Sequence, residues 1–139
     1  MPVRFYVDAD LIGLAKVLQQ VRADLTFPGD PGGVGIDGFN RDACSLRPGA
    51  RDTEWIPQVA AQGWVVITRD RHMQHRPAER AMIEAHRARH FHLDARRELD
   101  RWGQLEIVVS RWRDMEKIAE LPGPWVYMVS RTGALRKQL

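Results

Sequence analysis

Two short strand-like runs, each closed by an aspartate, constrain this chain more than any other feature. Residues 3–7 (Val-Arg-Phe-Tyr-Val) lead straight into Asp8, and residues 64–67 (Trp-Val-Val-Ile) reach Asp70 through Thr68 and Arg69. A continuous apolar run has to be covered on both faces, which suits an inner strand of a parallel sheet. Elsewhere the apolar residues recur at helical spacing: Leu11, Leu14, Ala15, Leu18 and Val21, then Trp55, Ile56, Val59 and Ala60, then Leu99, Trp102, Leu105, Val109, Trp112, Met115 and Ala119. This alternation predicts an α/β fold, a three-layer α/β/α sandwich on a mostly parallel sheet of about five strands.

The remaining punctuation fills in the order. Strands are expected over 3–7, 23–27, 64–67, 91–93 and 125–129. Helices are expected over 9–21, from 52 until Gly63 stops it, from Pro77 to about 88, and over 98–119 in spite of Gly103. Asp52 or Thr53 suits the N-cap of the second helix. Pro122-Gly-Pro124 breaks the fourth, and a basic tail follows from 131. Residues 28–49 carry Gly29, Pro31, Gly32, Gly33, Gly35, Gly38 and Pro48 and read as a loop of about 20 residues, a length more often functional or mobile than idle. Trp55, Trp64, Trp102 and Trp112 fall on apolar stripes and read as core, with Trp102 and Trp112 also able to extend a homodimer surface.

At 139 residues the chain suits one domain, residues 1–139, able to bury a core without staples. Its one cysteine, Cys44, rules out an intramolecular disulfide and fits a reducing cytoplasm. The first residues do not read as a signal peptide, and no run approaches the ~20 apolar residues of a membrane span. The net charge of +3 is uneven, with arginines crowded between Arg69 and Arg101. That stretch reads equally as a polyanion-binding face or as a solvated one.

In parallel sheets, ligands bind beyond the carboxyl ends of the strands. Asp8 and Asp70 stand at two such ends, and the loop before Asp52 can bring it to the same edge. Crowded carboxylates raise one another's pKa unless a cation compensates them, and hard ions such as Mg²⁺ or Mn²⁺ suit oxygen ligands. An ion held there can acidify water or clamp the oxygens of a phosphodiester. Each aspartate also has a plain structural reading, as a turn former or a helix cap.

The residues now resemble a known family. Phe5-Tyr-Val-Asp-Ala-Asp10 is similar to the opening strand of PIN-like domains. Residues 52–70, an acid, a helix, a glycine, an apolar strand and then Thr68-Arg-Asp70, resemble their middle block. Gly123-Pro-Trp-Val-Tyr resembles the last strand of the VapC-like toxin subgroup. The resemblance implies a metal-dependent endoribonuclease, often the toxin of a toxin–antitoxin pair and often dimeric. It makes Asp8, Asp52 and Asp70 metal ligands and Thr68 their hydrogen-bonding support. The family's usual further acid, on a helix before the middle block, has no counterpart in the glycine-rich stretch; Asp10 or Glu54 is the substitute. Arg69, Arg71, His72 and Arg76 are the expected contacts to RNA phosphates.

Three other readings are weighed. In a haloacid-dehalogenase-type phosphatase, Asp8 would be the nucleophile, Asp10 the acid and base, and Thr68 the phosphate ligand, although no lysine stands in a suitable context. In an inactive binding module, the arginines would hold nucleic acid or an acidic partner. Zinc is suggested by His86 and His90 at helical spacing, but the surrounding arginines and the lack of nearby cysteines favour a surface role for the histidines.

Overall fold

The computed structural model describes residues 2–94 and 100–139. Among the described residues eight strands form: β1 (Phe5–Val7), β2 (Leu25–Thr26), β3 (Gly33–Val34), β4 (Asn40–Arg41), β5 (Val65–Thr68), β6 (Arg89–Leu93), β7 (Trp125–Val129) and β8 (Arg136–Lys137). Four α-helices accompany them: α1 (Ile12–Leu18), α2 (Asp52–Ala61), α3 (Pro77–Ala85) and α4 (Arg101–Ala119). The main sheet has six strands in the order β2-β1-β5-β6-β7-β8. Every neighbouring pair is parallel except β7–β8. The sixth strand lies in the basic tail, which turns back on β7; its two residues are too few to show a period.

The two-residue period of the strands sorts the core into two halves. Phe5, Val7, Val65, Ile67, Phe91 and Leu93 point to one face, where they pack with Leu14 and Ala15 of α1 and Val108 and Met115 of α4. Tyr6, Val66 and Val126 point to the other, against Trp55 and Ile56 of α2 and Ile83 of α3. This is the expected α/β/α sandwich. Helix α2 ends where Gly63 adopts φ +75°, a conformation costly for any side chain, and Trp64 then donates back to Val59.

Several expectations shift. Residues 9–11 form a 3-10 turn before α1 rather than its first turn. The N-cap of α2 is Arg51, with no side-chain cap, so Asp52 and Thr53 do not serve there. The glycine-rich stretch contains the small β3–β4 hairpin. It is held by the buried Asp30, which accepts from Arg41 (2.8 and 3.0 Å), Thr26 (2.9 Å), Gln19 (3.1 Å) and the Gly32 amide (3.0 Å). A Cβ on Gly32 would lie 2.4 Å from the Arg41 carbonyl, so only glycine fits. His86 ends α3 whereas His90 lies in β6, so they do not form a helical pair. His90 and His92 are buried, not on the surface. Trp102 is 70% exposed and Val109 64%, so neither is core, whereas Trp112 packs on Phe5 with centroids 4.8 Å apart. Glu98 and Leu99, placed in the fourth helix, lie outside the described residues. Among the described residues no helix is long and apolar enough to cross a membrane.

Candidate active site

The carboxyl ends of β1 and β5 meet at a cavity of about 240 Å³. Asp8, Asp10, Asp52 and Asp70 all line it, with Tyr6, Trp55, Pro28, Arg47, Pro48 and Ala50 among its walls. Three separate segments of chain therefore deliver four carboxylates to one place, at the edge where parallel sheets bind ligands.

Asp8 is the innermost and is buried. Its backbone amide donates to the Ile67 carbonyl (2.9 Å), which extends the β1–β5 ladder by one residue and fixes its position. One carboxylate oxygen accepts from the Ala9 amide (2.6 Å) and the other from the Thr68 hydroxyl (2.9 Å). Thr68 Oγ1 also accepts from the Asp70 amide (3.1 Å), so one buried hydroxyl couples the two acids. Burial raises the Asp8 pKa; the two hydrogen bonds oppose this, and the charges of Asp52 and Asp70 add to it.

Asp10 stands on the exposed rim. Lost hydration, then the Asp8 charge, push its carboxyl up to about 7, against the pull of Arg69. Asp52 accepts from Trp55 Nε1 (2.9 Å) instead of capping its helix. Asp70 accepts from the His72 amide (3.1 Å) and is gripped by Arg76, whose Nη2 also reaches Asp52 Oδ2 at 3.3 Å. Burial works to raise the Asp70 pKa, but the Arg76 and His72 hydrogen bonds outweigh it and hold the carboxyl below its usual range.

The other expected residues divide. Thr68 lies behind Asp8 rather than in the cavity. Glu54 is exposed on α2 and does not line the cavity with the four aspartates. Arg69, Arg71 and His72 flank the site without lining it. Arg76 is committed to carboxylates, including Glu79 at 3.5 Å, and is not a free phosphate contact. Arg47 was missed: it lines the cavity, exposed, and makes no ion pair or hydrogen bond with its side chain among the described residues. Its one sequence signal was membership of the long loop before Asp52. His92 lies outside the cavity lining. It sits on β6 opposite Thr68, and burial, partly offset by Asp70, lowers its pKa to about 4, so it is neutral at physiological pH.

Among the described residues no three His, Cys, Asp or Glu side chains already form a close ligand array. The donor chemistry nonetheless fits a hard divalent ion. The cavity offers carboxylate oxygens and no thiolate or imidazole; burial first and neighbouring carboxylate charge second raise the pKa values of Asp8 and Asp10, and a cation bound there would offset both.

A family model described as a PIN like domain matches residues 3–95, which span β1 to β6 and all four aspartates. The chain belongs to the PIN-like domain family, whose members commonly have nuclease activity. No curated protein and no solved structure matches it.

Proposed function

We propose that this protein is a divalent-metal-dependent endoribonuclease. The observation that carries this reading is the convergence of Asp8, Asp10, Asp52 and Asp70 on one cavity in a chain of a family rich in nucleases. Asp8, Asp52 and Asp70 would hold Mg²⁺ or Mn²⁺, with Asp10 beside them; the bound ion would supply charge against the phosphate and acidify water. Thr68 and the Ala9 amide keep the Asp8 carboxylate from turning away. Asp10, with its pKa near neutrality, can take the proton from the water that attacks phosphorus as the bond to the leaving ribose oxygen breaks. Arg47 at the cavity, with Arg69, Arg71 and His72 beside it, would track the RNA backbone. The recessed acids favour a flexible single strand or loop, which can push a phosphate inward.

The VapC-like toxin role is part of the proposal, with a cognate antitoxin as partner and Trp102 on α4 as an exposed anchor for it or for a second copy. The resemblance in residues 123–127 supports this subgroup, and it lies beyond the matched span. A dehalogenase-type phosphatase is less well served, since no lysine lines the cavity.

The test is cleavage of a mixed RNA pool in Mg²⁺ or Mn²⁺, with EDTA and Asp70→Asn as controls. The proposal expects cleavage that both controls abolish. Salt-sensitive RNA binding without cleavage would replace it with a binding module.

A further inference from the structure

Arg76 stands immediately before α3, and its side chain pairs with two of the four carboxylates of the cluster. Nη1 approaches Asp70 Oδ1 at 3.3 Å, Nη2 bonds Asp70 Oδ2 closely, and the same Nη2 lies 3.3 Å from Asp52 Oδ2. Nε lies 3.5 Å from Glu79 Oε1. One guanidinium thus takes both oxygens of Asp70 and one of Asp52. A divalent cation held by Asp52 and Asp70 would draw on the same oxygens.

We infer that Arg76 is a tethered counter-ion that competes with the metal for Asp52 and Asp70, so the ion must displace it to bind. The inference rests on the metal-site reading above and concerns a positioning residue, not a catalytic one. The tether is suited to exchange. The Arg76 amide bonds the Met73 carbonyl (3.3 Å) and Pro77 fixes the next residue as the start of α3, so the backbone stays in place. The side chain is 41% exposed and can swing outward. Glu79, three residues on along the helix, remains as a partner when the aspartates are lost to it. Held inward, the guanidinium keeps Asp52 and Asp70 from repelling each other in the metal-free protein.

The experiment measures Mn²⁺ affinity by calorimetry, at fixed pH and ionic strength, for the unmodified protein, Arg76→Gln, Arg76→Lys and Asp8→Asn. Melting is followed in EDTA and in Mn²⁺. Removing the competing charge should tighten Mn²⁺ binding about tenfold in Arg76→Gln. Arg76→Lys, which keeps the charge but loses the fork, should fall between. The Gln variant should melt lower than the parent in EDTA, yet gain more from Mn²⁺. Equal or weaker Mn²⁺ binding by both Arg76 variants, with binding lost in Asp8→Asn, would overturn the counter-ion role and leave the metal site standing. Failure of Mn²⁺ to bind the parent and both Arg76 variants would overturn the metal site and this inference together.

Discussion

Asp8→Asn should make the metal-free protein more stable at alkaline pH. Asp8 is 8% exposed and its charge is faced by Asp10, Asp52 and Asp70, with no cation among the described residues bonded to it. Keeping a carboxylate ionised in such a place costs on the order of 2 kcal/mol after its hydrogen bonds are counted against burial. The amide keeps the shape: its oxygen can accept from Ala9 and its NH₂ can donate to Thr68 Oγ1, at the cost of the Thr68 hydroxyl's own donation, which Asp8 accepts in the parent. Exchanging charge-assisted bonds for neutral ones returns about 1 kcal/mol of that gain. The net is about 1 kcal/mol, or about 3 °C in Tm for a chain of this size. The sign depends on pH. A carboxyl whose folded pKa is raised stabilises fully below its ordinary value of 3.8, and that stability is lost as pH rises through the folded value. The amide does not titrate, so the gap between variant and parent should be present at about pH 8 and vanish at about pH 4. Calorimetric melting in EDTA across that range is the assay. A variant that melts lower than the parent at about pH 8, or a gap that does not change with pH, would refute the reasoning.

Other outcomes follow from the same geometry. Asp10 carries a pKa of about 7, so its own share of stability should decline as pH rises through neutrality; solvent at the rim trims this to about 1 kcal/mol, and Asp10→Asn should flatten the slope of Tm against pH. Asp30→Ala strands the half-buried Arg41 and removes four donors' acceptor, so it should cost about 3–5 kcal/mol in urea unfolding and speed hydrogen exchange across residues 28–50. Arg47→Ala should weaken metal-free RNA binding and lower the salt slope of log K by about 1, as filter binding at several ionic strengths will read.

The sandwich was legible because its strands and helices announce themselves by period. Residues 65–68 and 125–129 are apolar enough to be inner strands on any reading, and Asp8 and Asp70 follow from the rule that ligands sit at their carboxyl ends. Less could be seen where tertiary partners decide. The histidines of β6 look polar, yet alternation turns His90 toward the stacked ring of Trp55, with centroids 5.9 Å apart, beneath α2. Trp102 looks apolar, yet it lies in the first turn of α4 on a side that nothing described covers. Asp52 has the composition of a cap, but the indole of Trp55 claims its oxygen. Arg76 shows the same limit at the site: an arginine near acids in sequence reads as a phosphate contact, and only the fold reveals that it is already spoken for. Arg47 was hidden for the opposite reason, since nothing in a glycine-rich stretch says which side chain the loop will turn inward.

The two margins of the main sheet set how this protein can meet other chains. At one, β2 is two residues long and buried, and the Gln19 amide has taken the Leu25 carbonyl at 3.1 Å. At the other, β8 is equally short and is made of Arg136 and Lys137. Neither offers the long bare row of amides and carbonyls on which a foreign strand could zip. Crowding many copies together should therefore not seed fibrils through this sheet, and a binding protein gains little by trying to add a strand to it.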